Sequence, residues 1–167
     1  MRQTIFHAAL VAALAAGTGP ALAMCVRPLP DPGEADPVRA EVKSHFDRSD
    51  AVLTGTVTGL AYVPARSEAK GHDVSAVREE FRDVKIAVDE SWRGGTIHDI
   101  TIRTAGFRLP DGRHLVDVHD FPFEAGKKYL VYAQRDGDHL RTSACTRTRP
   151  IDRAAADIAV LDTLNPR

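Results

Sequence analysis

The stretch "DAVLTGTVTGLAYV", residues 50–63, governs the reading of the whole chain. It is dense in Val and Thr, whose β-branched side chains suit a pleated surface, and Gly55 and Gly59 interrupt it. Glycine inside a strand marks a bend or a bulge, the device with which a small closed barrel turns its corners. A bending strand near the start of a chain calls for further short strands to close against it.

Those strands follow. In "EFRDVKIAVDESW", residues 80–92, Val84, Ile86 and Val88 alternate with Asp83, Lys85 and Asp89, which predicts a strand with one buried face. "TIHDITIRT", residues 96–104, repeats the alternation through Ile100 and Ile102. "EAGKKYLVYAQ", residues 124–134, is apolar on both faces through Tyr129, Leu130, Val131 and Tyr132, so that strand is covered on both sides. "HLRTSACTRT", residues 139–148, supplies the fifth. Between them lie turn residues: "RGG" after Trp92, "LPDGRH" within a hairpin-like excursion over 105–120, and the Asp-Gly of "RDGDH". Residues 64–79 are polar and punctuated by Pro64 and Gly71, as a long hairpin loop would be.

Two helices flank the strands. Val38, Val42 and Phe46 recur every fourth position over 37–49, behind Pro37, a favoured first helical residue. "PIDRAAADIAVLDTLNP", residues 150–166, carries Ile151, Ala155, Ile158 and Leu161 on one helical face and stops before Pro166. The fold class expected is mainly β: a five-stranded OB-like Greek-key barrel with one short N-terminal helix and a C-terminal helix.

The first residues read differently. Arg2, the apolar run Ala8–Ala16 and the Ala21-Leu22-Ala23 site form the pattern of an export signal over residues 1–23. After it, residues 24–36 are Pro-rich and read as an extended arm, and one domain occupies 37–167. The expectation is a secreted or periplasmic protein with no membrane segment after cleavage. The formal net charge of −1 over the chain gives no basic face for phosphate contacts, so nucleic acid is not an expected partner.

Export bears on the only cysteines, Cys25 and Cys145. Oxidising compartments favour disulfides, and these two make one intramolecular bridge. A catalytic Cys145 would need a base beside it; His139 is on the same strand but six residues along, ~20 Å of extended chain. His114, Asp117, His119 and Asp120 have ligand chemistry, yet the odd offset between the two histidines fits neither a helical pair nor one strand face. No metal and no cofactor are therefore expected. Arg141, Arg147, Arg149 and Arg153 cluster near the last strand, where helical pairing such as Arg153–Asp157 accounts for them. No Walker loop, Rossmann glycine set, G-x-S-x-G elbow or H-E-x-x-H occurs, and no catalytic residues are assigned.

The frame "SDAVLTGTVTGL … FRDVKIAVDESWRGG … ITIRT … FPFEAGKKYLVYAQ … HLRTSACTRTRPIDRAAADIAVL" resembles the bacterial exported members of the netrin-like, or tissue-inhibitor-of-metalloproteinase-like, group over nearly all of residues 45–164. The resemblance implies an OB-like barrel and a non-catalytic, protein-binding module related to metalloendopeptidase inhibitors. It points to Met24, Cys25, Val26 and Arg27 as partner-binding residues and to a zinc metalloprotease as a candidate partner. In the inhibitors an N-terminal cysteine chelates the protease zinc through its amine and carbonyl. Here Ala23 stands where that cysteine would be, and His119-Asp120 where its bridging partner would be. The alternative function is a cell-envelope or carbohydrate-binding module using Trp92, Tyr62 and the Arg cluster.

Overall fold

The computed structural model describes Cys25 and residues 35–65, 77–96 and 98–165. The elements run α1 (Pro37–Arg48), β1 (Ala51–Pro64), β2 (Arg78–Arg93), β3 (Asp99–Arg108), β4 (His114–Val116), β5 (Lys128–Asp136), β6 (His139–Arg141), β7 (Arg149–Pro150), a 3₁₀ turn (Ile151–Arg153) and α2 (Ala155–Leu164). The protein is mainly β with two helices, as expected. The arm over 26–34 and most of the predicted 64–79 loop lie outside the described residues.

Among the described residues seven strands replace the five predicted. The five all form, and their pairings run round a ring: β1 with β2, β2 with β3, β3 with β6, β6 with β5, and β5 back to β1. β4 and β7 are short additions, pairing with β3 and β5. The sheet is mixed, because the Ile102↔Leu140 pairing of β3 with β6 is parallel. The fifth strand, expected over 139–148, stops at Arg141, and residues beyond it fold into a turn.

β1 explains the ring. Over Val52–Thr56 it pairs with β2 and β5 at once, and its register against β2 slips at Val52/Leu53, Thr54/Gly55 and Val57/Gly59. Bulges of this kind bend a strand and increase its twist. Gly55 is required there by close approach, since a Cβ would sit 2.5 Å from the Ala87 carbonyl oxygen.

Two cores occupy opposite faces of the sheet. Leu53, Val57, Val84, Ile86, Ile102, Phe123 and Val131 fill the first. Val42, Val52, Trp92, Leu130, Tyr132 and Leu161 fill the second, between the sheet and the helices. β1 and β5 serve both, with Leu53 and Val131 on one side and Val52 and Leu130 on the other, which is why Ala51–Leu53 and Tyr129–Ala133 are unbroken apolar stretches. Each fully buried aliphatic side chain contributes about 1.5–3 kcal/mol.

α1 starts where Asp36 caps it, its carboxylate accepting from the Val38 and Arg39 N–H groups at 2.9 and 3.3 Å, a contact worth ~1 kcal/mol. It ends where the Ser49 hydroxyl donates back to the His45 carbonyl at 2.7 Å. α2 keeps most of the predicted face: Leu161 is buried and Ile151, in the 3₁₀ turn, and Ile158 pack against the second core, while Ala155 is exposed and Ala154 and Asp157 are buried. Among the described residues no helix is long and apolar enough to cross a membrane.

Candidate functional site

Cys25 and Cys145 form the predicted disulfide, with Cα atoms 5.2 Å apart across 120 residues of sequence. Cys145 sits in the turn 143–146, where the Ser143 carbonyl accepts from the Thr146 N–H at 3.1 Å and the Ser143 hydroxyl accepts from the Cys145 N–H at 3.2 Å. That turn is bonded to the segment after β4: the Ala144 N–H donates to the His119 carbonyl at 2.8 Å, and Asp120 bridges to Ser143. The Asp120 carboxylate in turn accepts from the Ala105 N–H at the end of β3. Beneath the turn the hydroxyls of Thr142, Thr146 and Thr148 bond one another, and Thr142 donates to the Tyr132 carbonyl at 2.8 Å.

The ends of the two predicted loops lie at the same end of the sheet. Pro64 pairs with Glu80, Arg78 with Arg108, and Arg108 with His114. The Tyr62 and His114 rings stack with centroids 3.7 Å apart, and His114 Nδ1 bonds the buried Glu80 carboxylate. Leu115, Val118, Tyr62 and Val77 are exposed around this end. A cleft of about 330 Å³ lies beside the Cys145 turn, lined by His119, Asp120, Asp136, Arg141, Ser143 and Thr146. Met24, Val26 and Arg27 lie outside the described residues; of the four expected partner-binding residues only Cys25 is described.

The His/Asp cluster is dispersed. His114 is engaged with Glu80 and Tyr62, Asp117 accepts from the His119 N–H at 2.8 Å, and Asp120 is turned toward β3. Burial holds the Asp120 carboxyl above the usual carboxylate range, against the pull of the Ala105 N–H and Arg141. Among the described residues no group of three or more His, Cys, Asp or Glu side chains is placed to hold a metal ion.

The Arg cluster is corrected in detail. Arg153 is exposed, and Asp157 does not serve it, being wholly buried against Arg147. Arg147 Nε and Nη2 meet the two Asp157 oxygens at 2.7 and 2.6 Å, and its Nη1 bonds Glu41 of α1. Arg149 stands 3.5 Å from the same Asp157, and Arg141 is paired with Asp136 at 2.9 Å. The Asp157 carboxylate holds the Arg147 guanidinium above its ordinary pKa. The sugar-binding alternative loses its main platform, because Trp92 is buried and its Nε1–H donates to Asp162 at 2.9 Å.

No protein-family model matches the chain, and no curated protein matches it in sequence. Sequence reasoning missed Glu41 and Glu80 and gave Asp157 to Arg153. Asp157 and Glu41 answer Arg147 across 10 and 106 residues, and their partnership is a matter of three-dimensional packing.

Proposed function

We propose that the protein is an exported, non-catalytic module with an OB-like Greek-key barrel that binds another protein through its N-terminal arm. The observation that carries this is the disulfide: it fastens Cys25 to a turn that shares backbone bonds with residues 119–120, next to the loop ends around Tyr62 and His114. An arm anchored there is restrained before a partner arrives, which lowers the ordering cost of binding. Met24, Cys25, Val26 and Arg27 would make the contact. The exposed apolar residues Leu115, Val118 and Val77 supply the neighbouring surface, in keeping with the larger apolar patches found at interaction sites.

A surface-exposed Cys25 joined to Cys145 also suits an oxidising compartment and cleavage of residues 1–23. The resemblance to metalloendopeptidase inhibitors names the partner class, a zinc metalloprotease. The chain as processed would offer Met24 rather than a cysteine as its first residue.

The test uses oxidised protein beginning at Met24 and a variant lacking residues 24–28, each assayed for binding and inhibition against a panel of purified zinc metalloproteases. Binding that is lost with the arm supports the reading. Binding unchanged by the deletion removes the arm from the interface, and no interaction with any member removes the partner class.

A further inference from the structure

We propose that the seat of α1 is an acid-sensitive clasp with His45 as its sensor. The seat joins four elements through one cluster of charges. Arg147, in the turn before β7, grips Asp157 of α2 with two nitrogens and Glu41 of α1 with the third. Arg149 of β7 approaches Asp157 at 3.5 Å, and the buried Tyr132 hydroxyl of β5 donates to Asp157 at 3.4 Å. His45 lies one helical turn after Glu41 with its ring edge-on to Tyr132, centroids 6.1 Å apart and planes at 68°. Arg48 follows on the same helix.

Three cations, Arg147, Arg149 and the neighbouring Arg48, face two anions, Glu41 and Asp157, so positive charge already prevails while His45 is neutral. A proton on His45 adds a further positive charge at a half-buried position. Both nearby carboxylates already receive Arg147. Burial, Arg48 and Arg147 hold the imidazole below its ordinary pKa of 6.5, outweighing Glu41 and Asp157.

The response is local because of how α1 is packed. Its inward residues Val42 and Phe46 belong to the second core, and none of its residues enters the first. Acid therefore loosens α1 from the sheet while the ring keeps its own core. The clasp is independent of what the arm binds.

The experiment is nuclear magnetic resonance on the oxidised protein between about pH 7.5 and 5, the range in which only histidine ordinarily titrates. It follows the His45 ring and the exchange protection of α1 amides, corrected for intrinsic rate and referenced to β2 amides. His45 should titrate below 6.5, and α1 protection should fall severalfold relative to β2 on acidification. His45→Gln should abolish that differential fall; His45→Asn serves if that variant does not fold. The proposal is overturned if His45 titrates at or above its free value, if α1 and β2 lose protection together, or if the neutral variant loses it as the parent does.

Discussion

Arg147 and Asp157 meet as a two-pronged pair, Nε to Oδ2 at 2.7 Å and Nη2 to Oδ1 at 2.6 Å, with the Asp157 side chain 1 % exposed. Breaking a buried pair on one side leaves the other charge stranded, which costs about 3–5 kcal/mol. Asp157→Ala is expected to lose stability on that scale in urea titration. Replacing both residues, as in Arg147→Met with Asp157→Leu, should lose markedly less, because the charges that then lose a partner, Glu41 and Arg149, are partly exposed rather than buried. A double variant as unstable as the single one would assign the loss to Glu41 and Arg149 instead.

Gly55→Ala tests the bend in β1. The added methyl would lie 2.5 Å from the Ala87 carbonyl oxygen, a backbone atom held by the β1–β2 ladder. Overpacking of this kind costs roughly 1–3 kcal/mol. Gly59→Ala meets only the end of the Lys85 side chain at 4.0 Å and should be nearly neutral. The comparison of the two denaturation midpoints checks it; equal losses would mean that strand propensity, not contact, sets the cost.

The same contrast marks what the sequence could and could not tell. Val84, Ile86 and Ile102 alternate because one face of β2 and β3 is buried, and that period is local to the strand. The both-face burial of Tyr129–Ala133 is local too, and so is the Pro110-Asp111-Gly112 turn, where Gly112 takes a φ of +84°. β4 and β7, of three and two residues, leave no periodic trace; each exists because a neighbour offers an open edge. Asp157 was read as a surface partner of Arg153 because it follows by four residues. The turn before β7 brings Arg147 over the helix instead, while Ile151 and Ile158 pack against the second core as the pattern assigned. The disulfide was legible from a count of two cysteines, whereas the union of its turn with residues 119–120 required the fold.

Removing the disulfide should lower stability without dissolving the domain. The chain-entropy argument gives roughly 4–5 kcal/mol as an upper figure for a loop of this length, and 120 residues separate the two cysteines. Cys25→Ser with Cys145→Ser is expected to lower the melting temperature by about 10 °C while keeping one cooperative transition, since the ring and both cores close without Cys25. A chain that is unfolded at room temperature after the double replacement would show that the arm completes the fold.

Acid should act on Asp83 in the ordinary carboxylate direction. Its two oxygens receive Arg103 Nε and Nη2 at 2.7 and 2.8 Å, both side chains being one-fifth exposed. The Arg103 hydrogen bonds hold the Asp83 carboxyl below its ordinary 3.8, against a smaller opposing effect of burial. A folded-state pKa below the unfolded one means that the pair's contribution is complete above 3.8 and disappears as the pH falls from there through the folded value. The stability of Asp83→Asn should therefore be lower than the parent's at neutral pH, and the two should converge in strong acid. Asp120, whose carboxyl is raised by burial, carries the opposite sign, so Asp120→Asn should gain on the parent as the pH rises above the carboxylate range. Urea midpoints measured across the acid range for the three proteins check both signs; parallel curves for the parent and Asp83→Asn would show that Arg103 gains nothing from the ionised partner.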